Sequence, residues 1–113
     1  MVNDAYIPEK GDLVWLDFDP QRGHEQKGRR PAIVVSQKIY NRKVGLTLFC
    51  PITSHIKGYP FEILLSNHAI NGCILSDQVK SLDWHQRNCE FIEKAFDDEI
   101  TAVINIITLM IES

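Results

Sequence analysis

Two short loops gather side chains able to do acid–base or phosphate chemistry. The first is GHEQKGRRP, Gly23 to Pro31, which carries His24, Glu25, Gln26, Lys27, Arg29 and Arg30. The second is TSHIKGYP, Thr53 to Pro60, which carries Thr53, Ser54, His55 and Lys57. A guanidinium offers five N–H donors and a permanent charge, a good match for phosphate. A hydroxyl beside it can donate to a phosphoryl oxygen, so Arg30 and Thr53 together could stabilise charge building on a phosphorane-like transition state. His24 and Glu25 are candidate acceptors for the proton that a hydroxyl nucleophile must lose. RNA suits this set better than DNA, because its 2′-hydroxyl is a built-in nucleophile. Phe18, Tyr40, Tyr59 and Phe61 lie near the same stretch, and unpaired bases could stack on such rings.

Spacing alone leaves a plainer reading open for each residue. Arg30 could be a surface ion-pair partner, Thr53 a turn former, and His24 and Glu25 solvated loop residues. Asp77 could end a strand or start a turn, and Trp15 and Trp84 fit a core or an interface. Other chemistries find no support. There is no Gly-rich phosphate loop leading into a helix, no GxSxG, no HExxH and no CxxC. His24, His55, His68 and His85 are scattered without a pair at ligand spacing, so neither a metal nor another cofactor is expected. The odd set of Cys50, Cys73 and Cys89 reads as buried free thiols.

The loops need strands to hold them. DLVWLDF, Asp12 to Phe18, reads as a strand that Asp19-Pro20 breaks, and PAIVVS, Pro31 to Ser36, reads as a buried strand. The two would pair as a hairpin, with a connection longer than usual between them, and long ordered loops tend to be functional. Gln37 to Lys43 fits one helical turn or a loop. Further strands are expected at Val44–Ile52, Phe61–Leu65, Cys73–Val79 and Arg87–Lys94. Asp97 and Asp98 stand where a helix would start, as caps or as charges on its positive end. Apolar residues at 100, 103, 104, 107 and 111 follow helical spacing, and Ile106, Leu109 and Met110 add a second apolar side. The expected fold is mainly β with a C-terminal helix, an α+β chain built as a small barrel or curled sheet. At 113 residues it fits a single domain, residues 1–113.

Charge is unevenly spread. The net charge of −3 by itself argues against a polyanion ligand. Yet no carboxylate occurs from Gln26 to Phe61, a stretch holding Lys27, Arg29, Arg30, Lys38, Arg42, Lys43 and Lys57. A basic face on an acidic protein is a footprint for a polyanion; a solvated surface run is the alternative. The N-terminus lacks an apolar run after a basic start, and Ile100–Ile111 is too short and too interrupted to span a bilayer, so a cytoplasmic protein without a membrane partner is expected.

GDLVWLDFDP, GHEQKGRRPAIVVS, CPITS, KGYPFE and SDQVKS, in that order, resemble the MazF/PemK family of toxin endoribonucleases, the mRNA interferases. The resemblance runs from about Gly11 to the C-terminal helix and is strongest over Gly11–Asp83. It implies a curled, SH3-like β-barrel with a C-terminal helix, forming a homodimer. It implies metal-independent, sequence-specific cleavage of single-stranded mRNA that leaves a 2′,3′-cyclic phosphate and a 5′-hydroxyl. It also implies a cognate antitoxin whose acidic tail covers the RNA groove. Arg30 takes the place of the family's RP-motif arginine, and Thr53 that of the threonine after the strand-three proline. Glu25 and His24 match the residues proposed for proton transfer in different branches. Asp77 matches the aspartate of the DQ motif, but Leu75 stands where the PemK-like branch has an arginine. Phe18, Gln26, Lys57, Asp77, Gln78 and Lys80 are the RNA-contact candidates. The rival expectations are a non-catalytic RNA- or protein-binding module of the same fold and a topoisomerase-poisoning toxin.

Overall fold

A computed structural model describes residues 6–18 and 28–112. His24, Glu25 and Gln26 therefore lie outside the described residues. Among the described residues, seven strands and two helices follow one another: β1 (Asp12–Asp17), β2 (Arg29–Val34), α1 (Lys38–Val44), β3 (Thr47–Thr53), β4 (Glu62–Leu64), β5 (Cys73–Leu75), β6 (Lys80–Leu82), β7 (Glu90–Lys94) and α2 (Asp97–Ile111). The sheet runs β4-β5-β3-β2-β1-β7, with β6 added against β3, and every pairing is antiparallel. β1 and β2 form the expected hairpin, with Leu13 opposite Ile33 and Asp17 opposite Arg29. The sheet curls but does not close, since β4 and β7 end the order without pairing.

The central strands are buried on both faces. Strand side chains alternate in direction, so Leu13, Ile33, Cys50 and Ile52 enter one cluster, while Val14, Leu16, Ala32, Val34 and Phe49 enter another. α2 covers the first through Val103, Ile100, Ile104 and Ile107. Tyr6, Leu82, Trp84 and Cys89 close the second. Two-sided burial explains the nearly continuous apolar runs LVW and AIVV. Long β3 is shared: β6 pairs with Thr47–Phe49 and β5 with Ile52–Thr53. Pro51, with no N–H to give, falls in the gap between those partners.

Several expected boundaries move. Val44 ends α1 rather than starting a strand, because Gly45 adopts the left-handed conformation (φ 82) that closes a helix. The expected strand Cys73–Val79 shortens to β5, ended by a turn at Ser76-Asp77 in which the Gln78 N–H bonds to the Leu75 carbonyl, and β6 starts just beyond it at Lys80. The last strand starts at Glu90 rather than Arg87, after a turn closed by Asp83. Asp97 and Asp98 do not cap α2; with Glu99 they occupy its first turn, where negative charge meets the positive end of the dipole. Ile111 lies 77% exposed, so the apolar stripe of α2 leaves the core after Ile107. No helix among the described residues is long and apolar enough to cross a membrane.

Candidate active site

The β2–β3 ladder sets the first two functional side chains. Ala32 faces Pro51 and Ile33 faces Cys50, and the same register carried two residues further puts Arg30 opposite Thr53 on one face of the sheet. Arg30 is exposed and Thr53 half-buried. They line one cleft with Trp15, Pro31, Ile52, Ser54, Ile70 and Asn71. Trp15 is therefore a half-buried wall of this cleft, whereas Trp84 belongs to the core and donates its indole N–H to the Asn41 carbonyl, 2.9 Å away.

Of the two adjacent arginines, Arg29 is the structural one. Its guanidinium bonds to Asp17 at 2.9 Å and Glu90 at 2.8 Å, tying β2 to β1 and β7. Burial works against the Asp17 charge, but hydrogen bonds from Asn88 and Arg29 outweigh it and hold the carboxyl below its usual range. Arg30 has no carboxylate partner among the described residues. Phe18 and Gly28 hydrogen bond at 2.7 Å, and Arg87 donates to the Phe18 carbonyl at 2.9 Å, so the base of the first loop is fixed.

Thr53 is prepared on the other side. Its Oγ1 accepts the His55 N–H at 3.1 Å, which occupies one lone pair and leaves its proton to donate. The β4–β5 connection presses on it from behind: a Cβ on Gly72 would lie 2.2 Å from the Thr53 carbonyl oxygen, and Gly72 has φ 131. Only glycine fits that approach.

A second hollow begins at Thr53 and runs along His55, Lys57, Tyr59, Phe61, Leu75 and Gln78. Its wall is built by Glu62, whose carboxylate accepts the N–H groups of Lys57 (3.2 Å) and Gly58 (2.8 Å). Tyr59 and Phe61 pack at a 45° tilt with ring centres 5.3 Å apart, and the Lys57 ammonium lies 5.9 Å from the Tyr59 ring. Tyr59 is 49% exposed, a free aromatic face beside a cation. Lys57 and Gln78 thus meet Thr53 in one groove. Lys80 is exposed on β6 opposite Phe49, and Asp77 is exposed at the β5–β6 turn. Burial first, and the Asp77 charge second, push the Cys50 thiol up to about 12, in keeping with an inert buried sulfur. Cys73 is likewise buried, whereas Cys89 is only half-buried, and all three thiols are free. Phe18 is half-buried against the second core cluster.

Among the described residues, the cations of the acid-free stretch do not share one face. Arg30 and Lys57 reach the groove, Arg29 is neutralised, and Lys38 lines a separate hollow with Glu9, Asp12 and Lys94. No cluster of metal-ligating side chains occurs among the described residues. Sequence reasoning passed over Ile70, Asn71 and Glu62. Glu62 had left a signal, as the first carboxylate after the acid-free run; Asn71 stood inside a loop whose placement depends on distant partners.

The sequence and fold are similar to those of known proteins. The family described as PemK-like, MazF-like toxin of type II toxin–antitoxin system matches residues 9–111. Endoribonuclease toxin MazF of Escherichia coli K12 is 52% identical over 82 residues, 73% of this chain and 74% of that protein. Endoribonuclease toxin ChpB of the same strain is 33% identical over 110 residues, covering 92% and 94%. The crystal structure of MazF from Deinococcus radiodurans superposes with TM-score 0.87 at 44% identity, covering 96% of this chain and all of that one. A MazE–MazF structure from the same organism superposes with TM-score 0.85 at 40% identity, covering 96% and 98%. The chain belongs to the PemK-like, MazF-like toxin family of type II toxin–antitoxin systems.

Proposed function

We propose that the cleft between Arg30 and Thr53 is the RNA-cleaving centre of this chain. The protein is an endoribonuclease toxin of the MazF type, acting as a single domain over residues 1–113. The substrate is single-stranded mRNA, cut at short sequences. The 2′-hydroxyl attacks the adjacent phosphorus as its proton passes to a base, and Glu25 and His24 are the candidates for that role. The P–O5′ bond breaks, the leaving oxygen takes up a proton, and a 2′,3′-cyclic phosphate and a 5′-hydroxyl remain. Arg30 and Thr53 donate to the phosphoryl oxygens as charge builds on them. The nucleophile is the RNA's own, so positioning, proton transfer and charge stabilisation suffice without a metal.

What carries this reading is the placement of Arg30 with Thr53 on one face of one cleft. The groove beyond Thr53 supports it, with Lys57 for the phosphate backbone, Tyr59 and Phe61 for a base and Gln78 for a base edge. Gln26, Phe18, Asp77 and Lys80 complete the RNA-contact set. The partner is a cognate antitoxin, whose acidic tail would compete for Arg30 and Lys57. The protein works as a homodimer, a reading supported by Leu109, Met110 and Ile111 standing exposed at the end of α2.

The test is cleavage of single-stranded RNA by the purified protein in excess EDTA, beside Thr53→Ala, with end-group analysis. Cyclic phosphate ends in EDTA, lost in the variant, are expected. Folded, antitoxin-free protein that binds RNA but cuts none would make this a binding module.

A further inference from the structure

The third wall of the cleft is the connection from β4 to β5, and it is held by an unusual clamp. Ile70 and Asn71 line the cleft with Arg30 and Thr53, and Gly72 abuts the Thr53 carbonyl. Two residues before Ile70, His68 turns inward with its side chain only 1% exposed. Its Nδ1 lies 2.5 Å from Glu93 Oε2 on β7, and its Nε2 lies 2.7 Å from Glu99 Oε1 on α2. The Phe96 ring packs on the imidazole at 4.5 Å. The same carboxylates hold backbone: Glu93 Oε2 accepts the Ala69 N–H at 3.0 Å, and Glu99 Oε1 accepts the Phe96 N–H at 2.8 Å. The clamp thus fastens the loop before Asn71 to the last strand and the final helix at once.

Both partners of the ring are carboxylates, which accept and do not donate when ionised. A neutral imidazole has a single N–H and can satisfy only one of them; the imidazolium satisfies both. Glu93 and Glu99 are the charged groups that face the ring, one from each element packed against it. Burial disfavours the charged ring, but the bonds and charges of Glu99 and Glu93 outweigh that and raise its pKa above the usual 6.5. For Glu93, the Ala69 N–H first and the His68 bond second hold its carboxyl below its usual range.

We propose that His68, clamped as an imidazolium between Glu93 and Glu99, is a positioning residue that holds Asn71 against the RNA in the Arg30–Thr53 cleft. The Asn71 amide offers donors to a phosphoryl or ribose oxygen and an acceptor to a base edge. A group whose pKa is raised on folding contributes fully below its ordinary value and loses that contribution as pH rises through the folded value. The clamp therefore holds from the carboxylate range up to the raised His68 value and slackens above it. Asn71 then has the freedom of an ordinary surface loop. The inference rests on the reading of the cleft as the cleavage centre.

The experiment compares kcat/KM for single-stranded RNA across pH in the wild type, His68→Gln and Asn71→Ala, with the His68 ring and the Asn71 and Gly72 amides followed by NMR. Below the raised His68 value, each variant should fall roughly tenfold, well within what a misplaced group costs. The ratio of wild type to His68→Gln should shrink towards one as pH rises, because the wild type loses its clamp too. Taking the ratio cancels the pH dependence of the chemistry itself. The Asn71 and Gly72 amide shifts should follow the ring's titration, with a midpoint above 6.5. A ratio that stays constant with pH, or a ring that titrates at or below 6.5, overturns the proposal. If His68→Gln does not fold, exposed Asn71→Ala and the wild-type titration decide it. Wild-type protein that cuts no RNA defeats the cleavage reading and the catalytic half of this one, and the NMR titration then judges the clamp alone.

Discussion

Arg29 and Arg30 are adjacent on β2 and do opposite things. Arg29 is locked to Asp17 and Glu90, and Arg30 opens onto the cleft across from Thr53. Strand alternation makes the division unavoidable, since successive side chains leave opposite faces.

Truncating each arginine should separate stability from activity. Arg30→Ala should lower cleavage by about 10²–10³-fold, the usual loss when a charge-stabilising donor is removed. Its thermal melt should stay near that of the wild type. Arg29→Ala should cost about 1–2 kcal/mol, as charged hydrogen bonds in a partly exposed setting do. At this chain size that shifts Tm by roughly 4–8 °C per kcal/mol. Calorimetry and cleavage kinetics on the same two preparations decide it; a large melting loss for Arg30→Ala would make Arg30 structural.

The contrast marks how far the sequence could be read. The hairpin of β1 and β2, the strand leading to Thr53 and the C-terminal helix announce themselves through apolar runs, Pro breakers and helical spacing. Arg30 and Thr53 were legible as a pair because both sit at the mouths of strands adjacent in the chain. Spacing could not tell which arginine of the pair is tied down, because Arg29's partner Glu90 is 61 residues away. His68 was opaque for the same reason: its carboxylates lie 25 and 31 residues on, and only the fold brings them together. Val44 misled because a β-branched residue beside GLTLF reads as strand, while the closure of α1 is made by Gly45.

Glu62 should matter for binding more than for the chemical step. It makes no hydrogen bond to Arg30 or Thr53 among the described residues, yet it fixes the N–H groups of Lys57 and Gly58 and so the wall that carries Tyr59. Glu62→Ala frees that loop, and ordering it again must then come out of the binding energy. KM should rise about tenfold, or roughly 1.4 kcal/mol, with kcat changed less than about threefold. A steady-state comparison suffices. A fall in kcat with KM unchanged would mean that the loop acts on the reacting phosphate instead.

Gly72 should be the glycine that activity cannot do without. Gly45 and Gly72 both have positive φ, but a Cβ on Gly45 meets nothing within 4 Å, whereas one on Gly72 drives into the Thr53 carbonyl. Gly45→Ala should cost about 1 kcal/mol, the price of left-handed backbone alone. Gly72→Ala adds a backbone clash and should cost about 2–4 kcal/mol. The clash is relieved only by moving β3 away from the β4–β5 connection at Thr53, so cleavage should fall by at least about tenfold even where the variant is fully folded. Urea titrations give the two stabilities, and kinetics at low temperature gives the activity of the folded fraction. Equal costs for the two glycines, with activity intact in both, would show that Thr53 is not braced from behind.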